Sequence, residues 1–341
     1  MLELLVGLLN IPSPTGYTHE AVDYVRQHLQ RLPLAGLSWS VTKKGALLAR
    51  WPGVASSAPR GVTAHLDTLG LMVKEIKGNG RLKTTQLGGY MWNAVESEGV
   101  TVRTAADLRY RGSLQPANPS THVNRDLAKR ERNAELMEIR LDARTTSEAA
   151  TRALGIEVGD FVFLDPRVEV SSTGFVRSRH LDDKAGVAAI FGALGALHTA
   201  QQRPAQDTYI LFSNYEEVGH GGAADFPAEL DELLVVDMGA LGEGQNSDEF
   251  SVSICAKDSS GPYHFDMVNK LRALAVAHQI AYKMDIYPYY GSDGSAYWQA
   301  GGSARVGLLG PGVEASHAYE RTHTDGLVNT AHLIACYLLA K

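Results

Sequence analysis

The 341-residue chain is poor in cysteine, with only Cys255 and Cys336, far apart and in no metal-type spacing. That excludes a disulfide framework and a thiolate zinc module, and it suits two buried thiols in a reducing compartment. No stretch reaches the roughly 18 consecutive apolar residues of a membrane span. The apolar start, Met1 to Leu9, has no basic flank and runs into Pro12-Ser13-Pro14-Thr15-Gly16. It reads as a first helix and a turn, not as a targeting peptide. Excess positive charge is also lacking: the net charge is −6, which gives no footprint for nucleic acid or for an anionic membrane surface. Internal repeats and low-complexity segments are absent. These absences leave an ordinary soluble protein, expected in the cytoplasm, with no nucleic-acid or membrane partner.

What is present is enough for a large core and for two domains, since 44% of the residues are hydrophobic and 21% charged. Val22, Val25, Leu29 and Leu32 recur at helical spacing, whereas 37–49 alternates as a strand would. Gly61 to Gly70 is a short strand carrying His65 and Asp67. From 71 to 165 the pattern changes to short β-like runs and turn-rich pieces such as Gly78-Asn79-Gly80, with a charged excursion between Asn124 and Glu135. Strand–helix alternation then resumes: a small-residue helix over 187–197, strands at 207–212, 233–237 and 304–309, and helices over 265–280 and 327–339. The expected fold is α/β, a mostly parallel sheet sandwiched by helices, formed by 1–70 and 166–341. A small β-rich domain, 71–165, is inserted into it.

Several acids and histidines fall at or just beyond strand ends, where open α/β sheets bind ligands. His65 and Asp67 share one face of their strand, so a carboxylate there can support a metal-binding histidine. Glu216 and Glu217 sit where a strand gives way to a glycine-rich loop; as neighbours they point apart and are suited to different tasks. His65, Asp182, Glu217, Asp237 and one late histidine make a mixed N/O donor set of two histidines and three carboxylates, suited to zinc, cobalt or manganese. Five ligands exceed one four-coordinate catalytic ion and suit two ions about 3.5–4 Å apart bridged by a carboxylate. Two late histidines are available, His317 and His323. Asp183 also fits a helix N-cap, and Asp293 a turn.

The ordered set His65-Leu66-Asp67, Leu181-Asp182-Asp183-Lys184-Ala185-Gly186, Glu216-Glu217-Val218-Gly219, Val236-Asp237 and Arg321-Thr322-His323-Thr324 resembles metallopeptidase family 42, the glutamyl and tetrahedral aminopeptidases. The likeness runs over essentially the whole chain. It implies a zinc-exopeptidase-like fold and two divalent metal ions per subunit, zinc or cobalt. His65 and Asp237 would hold one ion, Glu217 and His323 the other, with Asp182 bridging. Asp67 would orient His65, and Glu216 would be the general base acting on the bridging water. The resemblance further implies cleavage of the N-terminal peptide bond of short peptides, and self-association into dimers through the inserted domain and into a tetrahedral dodecamer.

Two departures bear on the substrate. Thr68-Leu69-Gly70 follows the His-x-Asp where many members have a Glu. The segments 245–250, 258–263 and 315–323 resemble a subgroup associated with the osmoprotectant N-acetylglutaminylglutamine amide, which points to a peptide-amide substrate. The alternative activity is a two-metal deacylase or amidase acting on a small N-acyl dipeptide or amino acid amide. A two-carboxylate glycosidase leaves the histidines without a purpose, and an inactive scaffold predicts a missing metal position where none is missing.

Overall fold

Apolar runs form the parallel centre of a sheet in a computed structural model that describes residues 1–341. In space these strands run Gln206–Ser213, Ala55–His65, Glu232–Val236 and Arg305–Val313. Glu232–Val236 is buried along its whole length, as a strand covered on both faces must be. The flanks are antiparallel. Leu47–Trp51 and Ser38–Val41 close one side, and Val252–Asp258 continues the other. The sheet is therefore mixed: the strands that carry the acids and the first histidine lie in its parallel centre, and Val252–Asp258 pairs in parallel again with Tyr282–Ile286 on its far side.

The alternating stretch 37–49 is a hairpin and not one strand. Gly45, at φ +91°, turns the chain between Val41 and Leu47, a left-handed conformation that glycine adopts without a Cβ penalty. A three-stranded sheet of Glu169–Val170, Phe175–Ser178 and Glu320–His323 has no counterpart in the sequence reading. Its strands are short and rich in Arg, Glu and Thr, so they lack the apolar alternation that signals a strand.

By contact density the chain divides into Met1–Thr68 with Arg167–Lys341, and Leu69–Pro166. The smaller unit is a closed antiparallel barrel in the order Gly70–Ile76, Leu82–Leu87, Met137–Leu141, Arg109–Pro116, Gly99–Arg103 and Phe161–Leu164. Closure removes the exposed strand edges that a small sheet would otherwise present. Its interior is filled by Leu71, Val73, Val100, Val102, Leu114, Ile139 and Val162 among others.

In the larger unit the helix Leu181–Thr199 is buried on nearly every side. A helix that is apolar all round belongs inside, and its Ala and Gly residues allow close packing on the strand Ala55–His65 and the helix Thr324–Leu339. One cation lies in this packing. Lys184 is wholly buried, and its ammonium donates to the carbonyls of Leu8 (3.1 Å) and Ile11 (2.7 Å) at the end of the first helix, Leu2–Leu9. Free carbonyls at a helix C-terminus attract a cation, so Lys184 caps the first helix from inside the core.

Burial pushes the Lys184 ammonium down to about 7 from its usual value near 10.5. Between those two values the unfolded chain binds the extra proton and the folded chain does not, so this group adds stability as pH rises. Wild type should therefore gain stability relative to Lys184→Met from pH 7 to pH 10. Urea unfolding of both proteins across that range checks it; a constant difference would remove Lys184 from this account.

Candidate metal centre

The strand ends carry the functional side chains. His65 is the last residue of Ala55–His65, and Asp237 follows Glu232–Val236 directly. Glu216 and Glu217 lie on a single 3-10 turn beyond Gln206–Ser213, bounded by left-handed Tyr215 (φ +67°) and Gly219 (φ +86°). Asp182 stands at the start of the helix Leu181–Thr199, and its peptide bond to Asp183 is cis. The donor atoms of His65, Asp182 and Asp237 all lie within 4.8 Å of one another. His65 Nε2 is 3.2 Å from Asp182 Oδ1 and 3.8 Å from Glu216 Oε2.

Asp67 acts differently from the expectation. The ring of His65 is oriented by the backbone carbonyl of Asp67, 2.8 Å from Nδ1, while the nearest Asp67 carboxylate oxygen is 3.7 Å away. That carboxylate accepts hydrogen bonds from Thr15 Oγ1 (2.7 Å) and from the backbone N–H groups of Glu216 (3.0 Å) and Glu217 (3.3 Å). Its main work is to hold the Glu-Glu turn in place, which fixes where two further carboxylates point.

His323 is not in the cluster. Its Nδ1 accepts from the N–H of Asp325 (3.0 Å), capping the helix Thr324–Leu339, and its Nε2 meets the carbonyl of Thr173 at 2.9 Å. Phe175 and Phe250 pack on the ring. Both nitrogens are thus engaged away from the carboxylates. The histidine that reaches them is His317, held at φ +66° in the loop after Arg305–Val313. Its Nε2 lies 3.4 Å from Asp182 Oδ2 and 3.5 Å from Glu217 Oε2.

Three residues that the sequence left aside or ambiguous support the cluster from behind. Buried Glu320 accepts from the N–H of Asp182 (3.1 Å) and of His317 (3.2 Å), so one carboxylate fixes two of the cluster's residues. Its spacing of three from His317 is the only sequence signal that could have found it. Asp183 accepts from Gly186 N–H (3.2 Å) as an N-cap would and also holds the N–H of His65 (3.3 Å). Asp293 takes the hydroxyls of Thr63 and Ser213. A Cβ on Gly221 would stand 2.2 Å from Asp293 Oδ1, so the glycine-rich loop can lie this close only without a side chain.

Buried carboxylates here outnumber the cationic groups. Burial, with the added repulsion of Asp182, pushes Asp237 and Glu320 up to about 8. Burial also drives Glu216, Glu217 and Asp183 well above the carboxylate range. Asp182 is the exception: burial opposes its charge, but His317 and His65 hold it below the ordinary range. Burial opposes charging of His65, yet Asp182, Glu216, Asp237 and Asp67 together keep its pKa well above normal. Glu217 Oε1 is buried with no protein partner. Nitrogen and oxygen donors in this excess of negative charge fit a hard or borderline divalent cation.

Beside the cluster opens a cleft of about 740 Å³ bordered by Met238, Tyr287, Tyr289, Tyr290 and polar side chains including Gln245, Ser260 and Gln299. Carboxylates, imidazoles and an adjoining cleft at the strand ends define a metal-dependent hydrolase. The M42 glutamyl aminopeptidase family model matches residues 45–333, and the chain belongs to that family. It is a metal-dependent aminopeptidase, a hydrolase acting on peptide bonds. A Bacillus subtilis (strain 168) protein described as "Putative aminopeptidase YhfE" is 48% identical over 341 residues, covering 99% of this chain and 96% of that protein. An aminopeptidase from the archaeon Desulfurococcus kamchatkensis shares the fold with a TM-score of 0.87 at 20% identity, over 98% of this chain and 93% of that one. The TET1 peptidase of Pyrococcus horikoshii, described as assembling into a tetrahedron or a large octahedral shell, gives a TM-score of 0.84 at 22% identity, over 100% and 99%.

Removing the Asp67 carboxylate should loosen the Glu216–Glu217 turn while leaving His65 oriented by the backbone. Asp67→Ala is expected to cost about 10- to 100-fold in kcat/KM, the usual range for residues that support a metal site. Thr15→Val, which removes one of three donors, should cost less than Asp67→Ala. Steady-state kinetics at saturating metal checks the order.

Proposed function

We propose that this aminopeptidase removes the first residue of short peptides with two divalent cations, zinc or cobalt. His65 and Asp237 would hold one, Glu217 and His317 the other, and Asp182 would bridge them. The observation that carries this reading is Asp182 itself: its two oxygens face two different imidazoles, His65 at 3.2 Å and His317 at 3.4 Å. That is the disposition a bridging carboxylate needs.

Bound cations would polarise the scissile carbonyl and lower the pKa of the attacking water. The chain supplies the rest. Glu216 takes the water's proton and returns it to the leaving amine; burial raises its pKa above the ordinary carboxylate value, which favours its accepting that proton. The hydrogen bond from its own N–H to Asp67 keeps the turn rigid between the two transfers. The acidic surroundings favour the substrate's free α-ammonium group.

The cleft has no lysine or arginine among its bordering residues, and it carries Glu243 as a further acid. Neutral and basic first residues suit it, whereas an acidic one meets like charge. The likeness in fold to the TET1 peptidase described as assembling into a tetrahedron supports self-association of this chain. Dimers joined through the barrel unit and built into a tetrahedral dodecamer are the assembly we infer.

Three substitutions test the reading. Glu216→Gln should retain both metal equivalents by elemental analysis and lose about 10²- to 10⁴-fold in kcat; retained turnover would reject its role. His317→Ala should lose one equivalent. His323→Ala should keep both and lose only about 1 kcal/mol of stability through its missing cap. A substrate panel then settles the chemistry. Ala- and Lys-p-nitroanilides should exceed Glu-p-nitroanilide by about tenfold, the equivalent of roughly 1.4 kcal/mol. Cleavage of Nα-acetylated substrates with none of free-amine ones would shift the reading to a deacylase.

A further inference from the structure

A second group of metal-type donors lies outside the catalytic cluster, where two packed helices of the larger unit meet. His278 is the C-cap of the helix Phe265–Ala277, and His332 and Cys336 stand four residues apart on the helix Thr324–Leu339. Residues at that spacing share one face, one turn apart. The two imidazole rings are 6.2 Å apart between centres and inclined by 63°. Donor atoms of all three residues lie within 4.8 Å of one another; both histidines are exposed and Cys336 is a free, buried thiol.

We propose that His278, His332 and Cys336 bind one thiophilic divalent cation, zinc being the best match, in a site that shares no residue with the catalytic cluster. Two imidazoles and one thiolate are a borderline-soft set that selects zinc over magnesium or calcium. The fourth position of a tetrahedron stays open to water. The end of the helix Phe265–Ala277, where His278 sits, carries partial negative charge that favours a cation. Burial raises the Cys336 thiol, so the metal–sulfur bond forms as the thiol proton passes to solvent, and affinity climbs with pH. A filled site ties the end of one helix to the middle of another.

Cobalt(II) titration of the holoenzyme separates this site from the catalytic one. The cluster around Asp182 offers only nitrogen and oxygen, so a thiolate-to-cobalt charge-transfer band in the near ultraviolet reports a cysteine ligand. The band should saturate at one equivalent per chain, vanish in Cys336→Ser, and weaken at least about 10-fold in apparent affinity in His278→Ala and His332→Ala. His278→Ala changes an exposed residue and guards against a folding defect in the cysteine variant. No band in wild type, or a band persisting in Cys336→Ser, would overturn the site. A band lost in Cys336→Ser but unchanged in both histidine variants would also overturn it, because the thiol would then act alone.

Discussion

The structure turns on how eight carboxyl groups can be gathered at one end of a sheet. Asp67, Asp182, Asp183, Glu216, Glu217, Asp237, Asp293 and Glu320 converge with only His65 and His317 to oppose them. Burying an unpaired charge is costly enough that a group shifts its pKa instead, and the upward shifts of Asp237 and Glu320 record that pressure. The surrounding hydrogen bonds do not neutralise this charge. They aim it: Asp67 fixes the Glu-Glu turn, Glu320 fixes Asp182 and His317, and Asp183 fixes His65. Each supporting group is itself a carboxyl, so orientation is gained without bringing in a cation, which suits a site built for metal ions.

The two ends of the same strands contrast. At the opposite end, Arg60 and Glu232 pair across neighbouring strands at 3.2 Å, and Lys270 adds a second cation at 2.8 Å. Arg60 also donates to the carbonyls of Tyr337 and Ala340. The charges there are paired and hydrogen-bonded, which is the condition for a buried ion pair to be tolerated. One end of the sheet is thus organised for stability and the other for chemistry, as expected of open α/β sheets that bind ligands beyond the carboxyl ends of their strands.

The parts legible in the sequence were those with a short-range signature. The core of the buried strand, 233–236, reads as an unbroken apolar run, and the ordered acids read as a set because each ends a strand or begins a helix. His323 was misleading because its local context, Arg-Thr-His-Thr, resembles a ligand motif, whereas its nitrogens are committed to a helix cap and a carbonyl. The choice between His317 and His323 depends on how the loop after Arg305–Val313 folds back over Glu320, a tertiary fact with no periodicity to reveal it. The role of Asp67 was hidden for a similar reason. The partners of its carboxylate, Thr15 and the 216–217 backbone, come from about 50 and 150 residues away and leave no trace in local pattern. The barrel was visible only as β-rich, since short strands separated by turns carry weak register information.

Lys184 shows how selective the arrangement is. It follows Asp182 and Asp183 directly, and a lysine beside buried carboxylates is the simplest way to neutralise them. The chain does not use it so. The side chain points instead to the first helix, and its pKa falls to about 7 from burial; a carboxylate partner would have raised it. With the nearest ammonium turned away, only two histidines oppose the acids, and imidazole is itself a metal ligand. The acids and the imidazoles that oppose them are alike groups a divalent cation can use, so the negative excess is a property of the site and not a defect of its packing.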